Sequence, residues 1–474
     1  MIIRIWLLAS LLVQFSCGTN IQAVSTSAPI TTSNQSIIRY DSIHHPVVAR
    51  HGMVVTQNEL ASRVGQTILE QGGNAVDAAV AIGFALAVTL PRAGNLGGSG
   101  FMLIHMAQPK ETIALDFRSI APAAARLEDF LDEAGDIRWD DLTFGARAPA
   151  VPGTVAGLYH AWQKLGSLPW SLLVAPAINL AKEGIVVSED LAYAFAEAMP
   201  IISQYPSSII AYAKDADTPY LAGEILHQPD LAWSLEQISE QGANAFYSGD
   251  IAEKIIGFME RSGGYISSQD LQLYQVKERT PIATNYRQHK IVTMPPSSVG
   301  GLALLQMLNV LKQFDLSSLD PGSARSLHLL AEVMKRVNAN RRQGIGDTDF
   351  VSVPIEGILS EELAKEIAAS IDLGKASSVS VINPIDASPY ESRETTHYSV
   401  VDDFGNAVST SYTLGYSFGS GLVVPGTGIL LDNQMRNFSH RELGHANEMT
   451  PGKRPVSTMT PTLVFDVNDE IKIV

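Results

Sequence analysis

Cysteine is almost absent from this 474-residue chain: the one residue of that type, Cys17, lies just after an apolar run near the N-terminus. Residues 1–4 carry a positive charge, residues 5–15 are mostly apolar and small residues follow, a pattern typical of a secretory signal peptide. We predict that residues 1–23 are removed and that the mature protein is secreted or periplasmic. The mature chain would lack cysteine, which excludes disulfides, cysteine catalysis and thiolate metal sites. Lipid attachment at Cys17 is the alternative.

Positive charge is scarce as well, with 33 Lys and Arg against 49 Asp and Glu and a formal net charge of −16. The basic residues form no run, so nucleic acid and anionic membrane surfaces are not expected partners. The apolar run at 5–15 is too short to span a bilayer, and no membrane span is expected. Eleven histidines occur without an HExxH motif or a comparable ligand set, so we expect no metal and no other cofactor.

Hydrophobic residues make up 46% and charged residues 17% of the chain, which favours a large folded core. Residues 58–70 have helical spacing, and Asn74 with Asp77 forms a capping-box pattern before an apolar helix at 75–90. A glycine-rich loop at 94–100 then leads into a predicted hairpin. These features predict a buried helix beside a sheet.

The character of the sequence changes along the chain. Residues 150–375 alternate helical segments with short loops, residues 376–394 are polar and rich in turn formers, and the rest is dense in β-type sequence. A helix-rich first part and a strand-rich last part predict an α+β fold whose layers share one core.

Residues 396–401 and 407–413 predict a hairpin joined by turn residues at 402–406. If the hairpin is centred on residue 404, Thr395 faces Thr413, with Cβ atoms about 4.5–5.5 Å apart. Two hydroxyls would then meet at its open end, beside the polar segment. Taken alone, this pattern favours an ordinary Thr–Thr cross-strand pair, whereas the wider sequence favours a catalytic one.

Ten short motifs occur in order along the chain and can be compared together. They are GGNAVDAAVA at 72–81, NLGGSGFML at 95–103, LDFRSIAP at 115–122, PGTVAG at 152–157, MPPSSVGG at 294–301, TTHYSVVD at 395–402, GNAV at 405–408, GILL at 428–431, NQM at 433–435 and KRP at 453–455. In this order they resemble the γ-glutamyltranspeptidase (glutathione hydrolase) family over residues 46–474. The number of motifs in register makes the resemblance specific.

The resemblance implies an N-terminal-nucleophile hydrolase with an αββα sandwich, which cuts itself between Glu394 and Thr395. Residues 24–394 would form a large subunit and residues 395–474 a small one, packed as one unit. Thr395 would be the nucleophile, and Thr413 a second threonine hydrogen-bonded to it. The freed α-amine has a reference pKa of about 7.7–8.0 and could act as the base on the same residue.

The same resemblance implies transfer or hydrolysis of γ-glutamyl groups through an acyl-threonine. Its small-molecule partners would be glutathione, other γ-glutamyl compounds, and amino-acid or peptide acceptors. Arg118 matches the family arginine that binds the substrate α-carboxylate. Ser457 and Thr458 match a Ser–Ser pair at that carboxylate, and Gln434 matches a residue at the amino group. Apart from the resemblance, Arg118 could be a surface arginine paired with Asp116.

Two positions depart from the family pattern at the substrate amino group. A family asparagine falls on Gly415 and a family aspartate falls on Asn437, which removes a side chain and a negative charge. Loss of a charge-assisted hydrogen bond costs about 1.5–3 kcal/mol, so γ-glutamyl recognition would weaken roughly ten- to a hundredfold. An acyl group without the amine, such as glutaryl, would lose nothing, which makes a related acylase the alternative.

The chain stops at Val474, after a predicted strand, turn and strand. In the family, a Gly–Gly pair shortly beyond this point supplies oxyanion donors, and loss of one such donor costs about 10²–10³ in rate. We therefore expect either a fragment with an incomplete small subunit, or an inactive relative that persists as a binding protein.

Two other motifs suggest different chemistry. The GYSFG segment at 415–419 fits the G-x-S-x-G elbow of serine hydrolases around Ser417, but no helical pattern follows it. The glycine loop at 94–100 lacks the Lys-Ser/Thr of a phosphate-binding loop. We expect that loop to serve in packing or in a pocket wall.

Overall fold

The computed structural model describes four stretches of the chain: 47–341, 344–378, 395–440 and 444–474. The predictions for the signal peptide at 1–23, for Cys17 and for Glu394 concern residues outside these stretches. Within the four stretches, no helix combines the length and apolar character needed to cross a bilayer.

Fifteen α-helices lie in the described residues, all of them before residue 370. They are α1 (Glu59–Glu70), α2 (Ala75–Thr89), α3 (Trp139–Thr143), α4 (Thr154–Leu165), α5 (Trp170–Glu183), α6 (Glu189–Ile202), α7 (Pro206–Tyr212), α8 (Pro229–Gln241), α9 (Asn244–Tyr247), α10 (Asp250–Ser262), α11 (Ser268–Leu273), α12 (Val299–Leu311), α13 (Ala324–Arg341), α14 (Ile355–Ile358) and α15 (Glu361–Ala369).

Fourteen strands occur in the same residues, eight before and six after residue 395. They are β1 (Gly52–Val55), β2 (Ser99–Ala107), β3 (Lys110–Phe117), β4 (Ile185–Val186), β5 (Ile225–Leu226), β6 (Lys277–Arg279), β7 (Ile282–Tyr286), β8 (His289–Thr293), β9 (Thr396–Asp402), β10 (Ala407–Thr413), β11 (Val423–Val424), β12 (Ile429–Leu430), β13 (Thr462–Phe465) and β14 (Ile471–Ile473).

The larger sheet has six antiparallel strands in the order β1-β9-β10-β2-β3-β6. Along β9, Tyr398 and Val400 are buried in the apolar cluster that surrounds α2. Successive side chains in a strand point to opposite faces. His397 therefore points away from α2, and so does Thr395, which continues the strand by one residue.

The smaller sheet has the order β14-β13-β8-β7 and lies against that second face. Phe101 and Leu103 of β2 form one buried cluster with Leu463 and Phe465 of β13. Helices α2 and α4 pack on the outer side of the larger sheet, and α12 packs on β7 and β8. The layers are therefore helix, sheet, sheet and helix, which confirms the α+β, αββα prediction.

Helix α2 begins where the sequence predicted and is buried along its whole length. Asn74 Oδ1 accepts the N–H groups of Val76 at 2.8 Å and Asp77 at 3.0 Å, and Asp77 accepts the N–H of Asn74 at 3.0 Å. The capping box is confirmed. It satisfies donors that would otherwise be buried without a partner.

The structure differs from the sequence prediction in the middle of the chain, where β6, β7 and β8 occur among the helices. The two-residue turn between β7 and β8 has Arg287 at a φ of +56°. Such turns usually carry Asn or Gly, which are missing here, and β8 begins with the exposed residues His289 and Lys290. The prediction of helices and loops alone for 150–375 was therefore wrong in this segment.

We predict that Asn74→Ala lowers the free energy of unfolding by about 1–2 kcal/mol, because it leaves buried N–H groups of α2 without an acceptor. Asn58→Ala is the matched control, since Asn58 caps α1 in the same way but the first two residues of α1, Glu59 and Leu60, are exposed. Urea unfolding of both variants measures the difference. An equal or larger loss in Asn58→Ala would contradict the prediction.

Candidate active site

Two threonine hydroxyls meet at the open end of the β9–β10 hairpin. The register, in which Tyr398 pairs with Thr410, is the predicted one. Thr395 Oγ1 donates to Thr413 Oγ1 at 3.3 Å, and Thr413 Oγ1 also accepts the Gly415 N–H at 2.9 Å. Thr413 is buried and Thr395 is half-buried. The hydroxyl of Thr395 is therefore held by a side chain that is itself fixed to the backbone.

The glycine-rich loop at 94–100 packs directly against this pair. A Cβ added at Gly98 would lie 2.5 Å from the Thr413 carbonyl oxygen, closer than real Cβ atoms approach. The Gly98 carbonyl accepts the N–H groups of Gly153 at 2.9 Å and Thr154 at 3.0 Å, where α4 begins. The loop serves in close packing, as expected, and its own carbonyl occupies a helix N-terminus of the kind that binds phosphate elsewhere.

Arg118 directly follows β3, and its side chain is completely buried. Its Nη1 donates to Ser99 Oγ at 3.1 Å, and its Nη2 donates to Gln434 Oε1 at 2.7 Å and to the Pro455 carbonyl at 3.5 Å. Burial lowers the pKa of Arg118 from 12.5 to about 10. The guanidinium therefore keeps its charge at neutral pH.

The alternative of a surface pair between Arg118 and Asp116 is wrong. The carboxylate of Asp116 lies 3.4 Å from the Nε atoms of both Arg279 and Arg454. The guanidinium of Arg118 contacts only neutral oxygens among the described residues. A buried charge without a counter-ion costs on the order of several kcal/mol, and an anionic ligand would offset that cost.

Gln434 lies in the 3₁₀ turn Gln434–Asn437, and its side-chain carbonyl accepts two hydrogen bonds. The donors are Arg118 Nη2 at 2.7 Å and Asn437 Nδ2 at 2.6 Å. Because a guanidinium has no acceptor, the Gln434 atom that faces it must be the oxygen. The Nε2 group of Gln434 is left buried without a hydrogen-bond partner among the described residues. The structure thus brings these three side chains together.

Gly415 has a φ of +97°, a region that favours glycine. A Cβ there would lie 2.1 Å from Asn433 Oδ1. That oxygen accepts the Tyr416 N–H at 3.1 Å, and Asn433 Nδ2 donates to the carbonyls of Thr143 and Gly419 at 3.1 and 3.0 Å. Glycine at position 415 is therefore required by the local backbone conformation, which leaves no room for a side chain.

Ser457 and Thr458 follow Pro455, whose carbonyl contacts Arg118, but neither hydroxyl bonds to the guanidinium. The Ser457 hydroxyl instead accepts the Met459 N–H at 3.2 Å, and Thr458 is exposed. The structure places the pair close in the chain to a contact of Arg118. The resemblance implies that this pair contacts the substrate carboxylate, and that contact stays a prediction.

Two other kinds of site find no support in the described residues. Residues 414–422 form turns and bends and lead from β10 into β11, whereas a serine-hydrolase elbow around Ser417 needs a following helix. No group of three or more His, Cys, Asp or Glu side chains in those stretches is arranged to hold a metal ion.

Asp432 is a residue of this region that the sequence analysis missed. It is fully buried and accepts the Ser119 hydroxyl, the Ala150 N–H at 2.9 Å and the Gln434 N–H at 3.3 Å. Burial raises the pKa of Asp432 from 3.8 to about 7, although these bonds and the charge of Arg118 act in the opposite direction. An acidic residue at the end of the apolar run GILL was the available signal.

Arg436 was missed as well. Its guanidinium carbon lies 4.8 Å from the ring centre of Trp139 and 4.7 Å from that of Tyr416, and its Nη1 donates to the Thr143 hydroxyl. These cation–π contacts hold the side chain beside the turn that carries Asn437. A cation therefore directly precedes the position where the family has its aspartate.

Comparison with known proteins gives a consistent result. The family model described as Gamma-glutamyltranspeptidase matches residues 61–474. The Glutathione hydrolase proenzyme of Escherichia coli (strain K12) is 44% identical over 434 residues, covering 90% of this chain and 74% of that protein. The similarity extends across both predicted subunits.

Two solved structures extend the comparison from the sequence to the fold. Helicobacter pylori gamma-glutamyltranspeptidase has a TM-score of 0.69 and 42% identity, covering 72% of this chain and 97% of that chain. Cephalosporin acylase from Bacillus halodurans has a TM-score of 0.78 and 27% identity, covering 92% of this chain and 80% of that chain. Both agree with the αββα architecture.

We predict that Asp432→Asn stabilises the protein more at pH 8 than at pH 5. The folded pKa of Asp432 is about 7 and the ordinary value is 3.8. As pH rises between these values, the unfolded chain loses the proton first, so this carboxyl lowers stability progressively up to pH 7. The asparagine variant avoids that loss, which is on the order of 2–4 kcal/mol.

Thermal unfolding of wild type and Asp432→Asn at the two pH values measures the effect. The difference in unfolding temperature between the two proteins should be larger at pH 8. The same difference at both pH values would show that Asp432 titrates at an ordinary pKa.

Proposed function

Because the chain belongs to the γ-glutamyltranspeptidase family, we propose that it is a self-processing enzyme that transfers or hydrolyses γ-glutamyl groups. The observation that carries the proposal is the hydroxyl pair, in which Thr395 Oγ1 donates to Thr413 Oγ1 at 3.3 Å. A threonine hydroxyl is a weak nucleophile and needs a base. The α-amine that cleavage would free lies on the same residue, with a reference pKa of about 7.7–8.0.

Maturation begins with the same hydroxyl. Thr395 Oγ1 attacks the Glu394 carbonyl, the peptide nitrogen leaves as the free α-amine, and the acyl group passes to the oxygen as an ester. Water then hydrolyses the ester, which releases the Glu394 carboxylate and restores the hydroxyl. Subunits 24–394 and 395–474 stay together because β9 and β10 lie between β1 and β2 in the larger sheet.

In turnover, the α-amine of Thr395 takes the hydroxyl proton as the oxygen attacks the γ-carbonyl of the substrate. The leaving amine departs with that proton, and an acyl-threonine ester remains. Water, an amino acid or a peptide then accepts the acyl group. Holding nucleophile and base on one residue keeps the entropic cost of bringing them together small.

Arg118 is the proposed cation for the substrate α-carboxylate. Its guanidinium is buried and lacks an ionic partner among the described residues. The Gln434 carbonyl now occupies the position beside Nη2 where a carboxylate oxygen would bind. A carboxylate would form a charge-assisted pair there, with the hydroxyls of Ser457 and Thr458 as further donors.

The proposal extends to location. Residues 1–23 have the charge and apolar pattern of a signal peptide, and we assign the mature enzyme to the periplasm or the medium. Its small-molecule partners there are glutathione, other γ-glutamyl compounds and amine acceptors.

A second candidate is an acylase for acyl groups without an α-amine, such as glutaryl. Asn437 donates its Nδ2 to Gln434 Oε1, so the side chain at this position offers no carboxylate for an ammonium group. Gly415 offers no side chain, and Arg436 adds a cation to the same turn. The similarity to a cephalosporin acylase supports this reading of the acyl pocket.

We predict that Thr395→Ala abolishes both self-cleavage and activity, because it removes the attacking oxygen of both reactions. On a denaturing gel, the wild-type protein should give two bands, the smaller beginning at Thr395 by N-terminal sequencing. The variant should give one full-length band and no release of aniline from a γ-glutamyl anilide.

Ser417→Ala is the matched control for a serine-hydrolase mechanism and should process and turn over like wild type. Loss of activity in this control, with Thr395→Ala active, would overturn the assignment of the nucleophile. A single stable band and no activity in the wild type would instead support an inert relative or binding protein.

We predict that Asn437→Asp shifts preference toward γ-glutamyl over glutaryl donors by about tenfold or more. The carboxylate would attract a substrate ammonium, although it could not replace the hydrogen bond that Asn437 Nδ2 donates to Gln434 Oε1. The ratio of kcat/KM for γ-glutamyl and glutaryl anilides measures the shift. Asn285→Asp adds the same charge at an exposed position of β7 and should leave the ratio unchanged.

A strong γ-glutamyl preference in the wild type, with no further rise in Asn437→Asp, would contradict the altered amine end. In that case the acylase candidate would be rejected and the proposal of γ-glutamyl transfer would remain.

A further inference from the structure

Asp432 connects its own segment, which includes Gln434, with three distant ones that contain Gly97, Ser119 and Ala150. Its Oδ1 accepts the Ala150 N–H at 2.9 Å and the Gln434 N–H at 3.3 Å, and its Oδ2 accepts the Ser119 hydroxyl. Its own N–H donates to the Gly97 carbonyl at 3.1 Å. The side chain is fully buried, so water cannot replace these bonds.

Two of the residues bonded to Asp432 adjoin the carboxylate end of the pocket. Ser119 directly follows Arg118 in the chain, and Gln434 accepts the Nη2 hydrogen bond of Arg118 at 2.7 Å. Residues Arg118 and Gln434 are 316 positions apart, so no local structure holds them in place. Asp432 is bonded to the immediate neighbour of one and to the backbone of the other.

Asp116, the other acidic residue near Arg118, is already paired with two other arginines. Asp116 lies 3.4 Å from the Nε atoms of Arg279 and Arg454. Asp116 also accepts the backbone N–H of Arg118 at 3.1 Å. It therefore supports the backbone of Arg118 and not its guanidinium. Asp432 is therefore the carboxylate available to organise this end of the pocket.

We propose that Asp432 is the positioning residue of the carboxylate end: through its three accepted hydrogen bonds it holds Arg118 and Gln434 in the arrangement that receives a substrate carboxylate. The inference rests on the proposed function, because it deepens the role given there to Arg118. Displacement of a binding group by a fraction of an ångström weakens recognition, so the support around such a group matters as much as the group itself.

The three accepted bonds distinguish two variants. Asp432→Ala removes all of them. Asp432→Asn can keep them, since its oxygen can accept the two backbone N–H groups while its Nδ2 donates to Ser119, whose hydroxyl can turn to accept. A positioning role through hydrogen bonds therefore predicts loss in the alanine variant and rescue in the asparagine variant.

Asp270 supplies a matched control. It is a buried carboxylate that also accepts two backbone N–H groups and one serine hydroxyl, from Ala123 at 2.8 Å and from Ser267 at 2.9 and 2.6 Å. It makes no contact with Arg118 or Gln434. Asp270→Ala should lower stability in the manner of Asp432→Ala without changing the carboxylate end.

The experiment measures binding of glutarate to the full-length protein by calorimetry, alongside kcat and KM for a γ-glutamyl anilide. We expect Asp432→Ala to weaken glutarate binding and raise KM by about tenfold or more, with kcat changed less than about threefold. Asp432→Asn should return both values to within about threefold of wild type. Ser119→Ala should fall between these variants, and Asp270→Ala should match wild type in glutarate binding.

Four results would overturn the inference: unchanged binding in Asp432→Ala, binding in Asp432→Asn as weak as in Asp432→Ala, equal weakening in Asp270→Ala, or no glutarate binding by the wild type. Failure of the proposed function looks different. Glutarate binding would then follow the expected order across the variants while no γ-glutamyl anilide is turned over.

Discussion

Antiparallel pairing of β9 with β10 is the constraint from which the rest of the site follows. Because side chains alternate along each strand, the pairing that buries Tyr398 and Val400 against α2 also turns Thr395 toward the second sheet. A shift of the pairing by one residue would turn Tyr398 and Val400 toward the second sheet and Thr395 toward α2. Thr413 follows by the same register, and the bond from the Gly415 N–H fixes its hydroxyl. The core packing of the sheet thereby determines the position of the threonine pair.

The second constraint is the distribution of buried charge. Three arginines lie close together behind β3, yet the nearby carboxylate of Asp116 is shared by Arg279 and Arg454. Within the four described stretches, the Arg118 guanidinium donates only to neutral oxygens. Asp432 acts on it through its charge without a direct hydrogen bond. If each of the three arginines had its own carboxylate, the cluster would be stable but would leave no cation for a ligand. The uneven pairing leaves Arg118 without an anionic partner among the described residues, at some cost to the fold, and under the proposed function a substrate anion would supply that partner.

The parts of the structure that depend on near neighbours were predictable. The Asn74 capping box spans three residues and the Thr395–Thr413 pair follows from a hairpin of known centre, so both could be derived from spacing. The β7–β8 hairpin could not, because its turn at Arg287 lacks the usual residues. The Arg118–Gln434 contact joins positions 316 residues apart. Its geometry, and the role of Asp432 within it, appears only when distant segments are packed together.

The two departures from the family pattern are not equivalent. Gly415 is fixed by its φ and by Asn433, whose Oδ1 would lie 2.1 Å from an added Cβ. Asparagine could return there only with a change of backbone. Asn437 carries no such backbone restraint, since an aspartate has the same shape and would lose only the hydrogen bond that Asn437 Nδ2 donates to Gln434 Oε1. Under the proposed function, recognition of a substrate ammonium therefore depends on position 437, which can change without a change of backbone.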